Sequence, residues 1–285
     1  MAGTPADAEL KAAQRANWDA VAGGWEKWDA FHEVHTQPVN EWLCRSAGLS
    51  PGKEVLDLAS GSGQPAFTAA RFVRPGGRVV ATDIAPEMVE VMQRRCAVDG
   101  INNVETRTLD IEQIDFPDGS FDAVTCRWGY MFCPDLARAL RESERVLKPG
   151  GRLTLAVWSP PDENPWLETF LRVLNQVAPP AAPPDPDALG PFRLSDRAHL
   201  DDLLRSTGFA DFSIETVSFS FDFDSPEHWW EFVFDIAAPI RHRILSLDLP
   251  GQAKVRQLVF AQSDSFLSQG KLRLSAANHC AVARK

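Results

Sequence analysis

Tyrosine is almost missing from this chain: of 285 residues, only Tyr130 carries a phenol. A Tyr-x-x-x-Lys pair for hydride transfer is therefore absent, because Pro134 stands four positions after Tyr130. Cysteine is sparse as well. Cys44, Cys96, Cys126, Cys133 and Cys280 are odd in number and scattered, without a C-x-x-C pair, which argues against a disulfide framework or a thiolate metal site. Basic residues are outnumbered, 29 Lys and Arg against 39 Asp and Glu, for a net charge of −10. Phosphate contacts draw on clustered Lys and Arg, so nucleic acid is not expected as a partner. No apolar run approaches the roughly 20 residues that a membrane-spanning helix needs. At the N-terminus, Asp7, Glu9, Lys11 and Arg15 leave no signal-type apolar segment. Reduced thiols and the absence of targeting signals predict a cytoplasmic protein.

What the chain does have is concentrated at residues 54–66, Glu-Val-Leu-Asp-Leu-Ala-Ser-Gly-Ser-Gly-Gln-Pro-Ala. Val55-Leu56-Asp57-Leu58 reads as a buried strand. Ala59 to Gln64 form a small-residue turn in which Gly61 and Gly63 allow a sharp reversal and close approach of a ligand. A helix-compatible stretch follows from Pro65. Strand, glycine turn and helix N-terminus together make a cofactor site at the carboxyl edge of a parallel sheet. Gly61-x-Gly63-x-x-Ala66, with Asp83 downstream, also satisfies the dinucleotide fingerprint. Asp57, ahead of the glycines, favours a different ligand: it repels a diphosphate and attracts a methionine ammonium.

Later segments repeat the pattern. Gly77–Asp83 and Val104–Asp110 are strands ending in carboxylates, Ser120–Cys126 is another strand, and Ala139–Arg152 is a helix followed by Lys-Pro-Gly-Gly. In this order they resemble the class I S-adenosylmethionine-dependent methyltransferases, and most closely the type-11 branch with its ubiquinone/menaquinone C-methyltransferases. The resemblance covers roughly residues 14–158. One departure is Ala59, where many relatives carry a glycine. The resemblance implies S-adenosyl-L-methionine as cofactor, held by the turn from Ala59 through Gly61 and Gly63 to Gln64. Asp83 would take the ribose hydroxyls, Ile84 and Met88 would pack on adenine, and Asp110 with Ile111 would meet the adenine amino group. Arg127 falls where relatives present residues to cofactor or acceptor.

The expected fold is α/β: a Rossmann-like, doubly wound, seven-stranded sheet, mostly parallel with an antiparallel last strand, plus a helical cap insertion. Strands are predicted at 54–59, 78–83, 103–108, 121–126, 152–158, 211–217 and 277–284. Helices are predicted at 65–73, 86–98, 135–147, 166–177 and 196–207, with further helical stretches near 226–238, 239–247 and 251–268. The expected division is an N-terminal helical lid (1–48), a cofactor-binding core (49–158), an insertion with a proline-rich linker (159–198), more core (199–218), a helical cap for the acceptor (219–275) and a final core strand (276–285). The lid carries Trp18, Trp25 and Trp28, whose π faces suit a sulfonium, and Gln37 is in reach of the methionine end. In the cap, His228 is the expected general base among the histidines His32, His35, His228 and His242, and Trp229 and Trp230 are expected to influence acceptor choice.

The function expected is methyl transfer to a small, partly apolar organic acceptor, oxygen slightly ahead of carbon, by a monomer or homodimer. Two alternatives stay open: a relative that binds the cofactor without methylating, as a cyclase or scaffold, and an NAD-dependent oxidoreductase.

Overall fold

Three helices precede the first strand in the computed structural model: α1 (Pro5–Asp19), α2 (Ala22–Lys27) and α3 (Asp29–Ser46). The structure describes residues 5–180, 185, 187–209 and 211–285. Most of the proline-rich run at 179–186 therefore lies outside the described residues. The core then alternates: β1 (Glu54–Leu58), α4 (Ala66–Phe72), β2 (Arg78–Asp83), α5 (Pro86–Val98), β3 (Val104–Thr108), β4 (Phe121–Arg127), α6 (Leu136–Val146) and β5 (Leu147–Trp158). Helices α7 (Pro165–Val177) and α8 (Arg197–Ser206) lead to β6 (Asp211–Phe223). Helices α9 (Pro226–Ile236), α10 (Ala238–Leu245) and α11 (Leu249–Gln262) follow, then the short β7 (Leu267–Ser268) and β8 (Lys271–Arg284).

One sheet collects all eight strands, in the order β3-β2-β1-β4-β5-β8-β6, with β7 paired to β8. From β3 to β5 every pair is parallel. β8 runs antiparallel between β5 and β6. The central strands are buried on both faces, as Val55–Leu58 and Val79–Asp83 illustrate, because helices cover both sides of a parallel sheet. Local chemistry sets several helix starts: Asp135, Asp196, Ser225 and Asp248 each accept a backbone N–H from the first turn of the helix that follows.

The last two long strands extend further than the sequence reading placed them. β6 runs to Phe223 and pairs residue for residue with β8 from Leu272 onward, so Phe223 faces Leu272 and Phe221 faces Leu274. The alternation Phe219-Ser-Phe221-Asp-Phe223 is a period-two strand signal, and Phe221 and Phe223 are fully buried. Lys148-Pro-Gly-Gly, expected as a turn before β5, is taken up within that strand. The register against β4 jumps there, with Phe121 opposite Leu147 but Ala123 opposite Arg152.

The N-terminal helices tie the two ends of the molecule together. α3 packs on β5, β6 and β8, whereas α1 and α2 lie against α5. α2 also meets α9: a Cβ on Gly24 would come within 2.2 Å of the Asp235 carbonyl oxygen. Trp25 Nε1 donates to the Ile236 carbonyl at 3.1 Å and Trp28 Nε1 to Asp235 at 2.9 Å. Among the described residues no helix is long and apolar enough to cross a membrane.

Candidate active site

β1 and β4 are neighbours whose following connections lead to opposite sides of the sheet, and such a switch point opens a crevice at the strands' carboxyl ends. A cavity of about 170 Å³ lies there. Its floor is the turn after β1. Ala59 and Gly61 are both left-handed, at φ 53° and 54°, and Gly63 has φ 118°. A Cβ on Gly63 would lie 2.2 Å from the Phe67 ring, so only glycine lets the turn seat against α4. Ala59 occupies the left-handed region with a methyl group, at a cost of about 1–2 kcal/mol. Ala59→Gly relieves this strain but gives the unfolded chain more freedom to lose. A net gain of about 0.5–1 kcal/mol is expected in denaturant unfolding.

Most of the residues singled out from sequence come together around this cavity: Trp25, Ala59, Gly61, Gln64, Asp83, Ile84, Met88, Asp110, Ile111 and Arg127. Asp83 presents both carboxylate oxygens on a fixed frame, one accepting from Gly61 N and the other from Ala85 N, each at 3.0 Å. Burial holds its carboxyl up at about 6. Trp25 stands over the turn, its ring 4.0 Å from the position a Cβ on Gly61 would take.

Four expected residues sit elsewhere. Asp57 is fully buried beneath the turn, where one oxygen accepts from Ser60 Oγ at 2.6 Å and the other from Thr125 Oγ1. It braces the turn from behind and does not line the cavity, and burial raises its carboxyl to about 6. Gly63 packs on α4 below the cavity. Gln37 is half-buried on α3, its Oε1 without a partner, away from the lining. His228 lies in a ring cluster, stacked on Trp28 at 5.1 Å and close to Phe31 and Phe223, with Nδ1 accepting from Asp224 N at 3.2 Å. It is absent from the cavity wall, and so are the cap tryptophans. Trp229 is a core residue donating to the Trp166 carbonyl at 2.9 Å, and Trp230 stacks on Phe234.

The sequence reading did not anticipate a polar network on α3. His32, Thr36 and Asn40 recur every fourth residue and are all buried, a stripe on one helix face. Arg127 enters it from the end of β4: Nη1 donates to Thr36 Oγ1 at 2.8 Å and to Asn40 Oδ1 at 2.7 Å. Arg127 Nε and Gln64 Nε2 are buried without partners. Among the described residues no carboxylate pairs with this guanidinium, which stands 4.3 Å from the Trp128 ring centroid, and burial brings it down to about 9, so it is still charged at neutral pH. A buried, unpaired cation is expensive unless something binds it. At the far side, Lys11 on α1 reaches Asp110 at 2.7 Å and Glu112 at 2.6 Å, fastening the first helix over the loop after β3. Much of the remaining wall is apolar: Trp128 stacked on Trp158 at 4.2 Å, with Trp166, Leu167, Leu171 and Ile240.

The antiparallel β8 between β5 and β6 departs from the 3-2-1-4-5-6 order of dinucleotide-binding sheets. Comparison with known proteins agrees. A model of the methyltransferase domain family matches residues 56–155. The nocamycin O-methyltransferase of Saccharothrix syringae is 33% identical over 202 residues, which cover 68% of this chain and 71% of that protein. The chain belongs to the class I S-adenosylmethionine-dependent methyltransferases. A ubiquinone/menaquinone biosynthesis C-methyltransferase of Hahella chejuensis is 34% identical over 149 residues, or 50% of this chain and 59% of that relative. The matched segments thus span only 52–59% of the quinone-methyltransferase relatives. Among solved structures, the YcgJ protein of Bacillus subtilis shares the fold, with a TM-score of 0.57 at 22% identity over 88% of this chain and 99% of that one. S-adenosylmethionine is the cofactor of this methyltransferase family. The residues here suit it. Gly61 and Ala59 leave room beside the turn, Asp83 offers acceptors for two hydroxyls, and Arg127 offers an unpaired charge for a carboxylate.

Proposed function

We propose that this protein transfers a methyl group from S-adenosylmethionine to a small, flat, largely apolar organic molecule, with oxygen favoured over carbon as the acceptor atom. One observation carries the reading: one cavity is lined both by Gly61, Asp83, Asp110 and Arg127, which suit the cofactor, and by Trp128, Trp158, Trp166 and Leu171, which suit an apolar acceptor. When bound, the cofactor supplies a methyl group already activated by its positive sulfur. The protein's task is then alignment and exclusion of water. Asp83 fixes the ribose, Arg127 takes the carboxylate, and Trp25 covers the turn from α2. The helices α9 and α10 contribute Ile236 and Ile240 to the acceptor end, so the chain between β6 and β8 helps to set acceptor choice. The five free cysteines fit a reducing cytoplasm.

Calorimetric titration with S-adenosylhomocysteine is expected to give a one-site isotherm, with NAD giving none. Incubation with S-adenosylmethionine and a set of hydroxylated bicyclic aromatics is expected to release S-adenosylhomocysteine. Tighter binding of NAD would overturn the assignment. Cofactor binding with no methylated product from any acceptor would favour the non-methylating alternative.

A further inference from the structure

His32 borders the cavity on the same face of α3 as Thr36 and Asn40, but unlike them it takes no part in the hydrogen bonds to Arg127. It is buried at 5% exposure. Among the described residues its ring nitrogens have no hydrogen-bond partner, and the residue's one side-chain-facing bond is through its carbonyl, which accepts from Thr36 Oγ1. A buried imidazole normally finds a partner on at least one nitrogen. His35 shows the usual arrangement three residues on, with Nδ1 at 2.7 Å from the Phe31 carbonyl and Nε2 accepting from Asp222 N.

The position of the ring is informative. On one side it meets Trp25 edge-on at 4.9 Å, and Trp25 stands over the Gly61 turn. On the other it meets Trp128 at 5.5 Å, and Trp128 stacks on Trp158 in the apolar half. His32 thus occupies the junction of the two halves, where a methyl donor and an acceptor would face each other. Burial first, then the charges of Arg127, His35 and Arg95, keep its protonated form well below the ordinary histidine range, so at neutral pH one ring nitrogen carries a free lone pair.

We propose that His32 is the general base of methyl transfer and that the acceptor is a planar aromatic or enolic hydroxyl compound that enters protonated. This rests on the methyl-transfer reading above. As the acceptor oxygen attacks the methyl carbon, the O–H proton passes to the imidazole nitrogen. The new O–C bond forms while the C–S bond breaks, and its electron pair stays on sulfur as a neutral thioether. The imidazolium then gives the proton to water.

Two measurements test this. The protein saturated with S-adenosylhomocysteine is titrated with 2-naphthol and with naphthalene, which differ only in the hydroxyl. Wild type is expected to bind 2-naphthol at least about tenfold more tightly, since the hydroxyl gains an imidazole nitrogen at the cavity wall that has no protein partner among the described residues. In His32→Phe that preference should fall below about threefold, while S-adenosylhomocysteine affinity stays within about threefold. With S-adenosylmethionine, His32→Ala should slow methylation of 2-naphthol by about 100-fold or more, and added imidazole should restore part of the rate. The same variant should barely slow 1-nitro-2-naphthol, which is ionised at neutral pH. Equal loss on both naphthols, an unchanged hydroxyl preference in His32→Phe, or binding of neither ring by wild type would each overturn the proposal. Failure of wild type to bind S-adenosylhomocysteine would instead overturn the methyl-transfer reading beneath it.

Discussion

Arg127→Met is expected to weaken S-adenosylhomocysteine binding by about 30- to 700-fold while leaving the protein folded. The loss corresponds to about 2–4 kcal/mol, the scale for removing one partner of a buried charge pair. Arg127 is 6% exposed and has no carboxylate partner among the described residues, and its hydrogen bonds to Thr36 and Asn40 leave Nε unpaired. Stability is the second readout, and two opposed terms act on it. Replacing an uncompensated buried charge with an apolar side chain of similar length is favourable by about 1–4 kcal/mol. Stripping Asn40 Oδ1 of its donor costs about 1–3 kcal/mol. Denaturant unfolding should therefore move little, in contrast to the large change in affinity. Unchanged calorimetric affinity in a folded variant would mean that Arg127 serves only the α3 network.

Asp83→Asn should produce a loss of similar size, about 2–4 kcal/mol in cofactor affinity, from weaker bonds to the two ribose hydroxyls. The alanine variant is a poorer probe. Asp83 also accepts from Gly61 N and Ala85 N, so alanine strands two backbone donors and loosens the turn itself. Acidity gives an independent signature. Burial holds the Asp83 carboxyl at about 6 against an ordinary 3.8. The folded form therefore grips the proton more tightly than the unfolded chain does. Its contribution to stability is complete below pH 3.8 and is lost as pH rises through about 6. Cofactor binding needs the ionised form, so affinity should drop as pH falls through about 6 in wild type, with a smaller drop in Asp83→Asn. Asp57 titrates in the same range but touches only the turn. A pH profile identical in the two proteins would show that Asp83 does not contact the ligand.

Most residues proposed for the cofactor were legible as lining one cavity because they are local in sequence. Asp83, Ile84 and Met88 follow one strand, Ala59 to Gln64 another, and Asp110 with Ile111 a third, so naming the strands brought these residues to one edge. Even there, spacing alone misplaced Asp57. A carboxylate within a strand is as able to brace the next turn as to meet a ligand, and only its bonds to Ser60 and Thr125 distinguish the two. The acceptor half was harder to read. His228 and Trp229 stand on a conspicuously aromatic helix, but helical aromatics are drawn inward by burial whatever lies nearby. The structure puts His228 against Trp28 and Phe31 and gives the cavity wall to His32, Trp128 and Trp158.

The sequence by itself determined the strand–helix alternation, the glycine turn and the family, because each depends on neighbours within a few residues or on a motif read in order. Tertiary structure alone decided which histidine meets the cavity and how Arg127 is held. Both depend on α3 packing across β5, β6 and β8, a contact between segments some ninety residues or more apart in the chain. It also decided how far β6 and β8 extend, since their pairing from Phe223 and Leu272 onward is made between strands with three helices between them. Periodicity tells a segment which face to bury. It does not tell it against what.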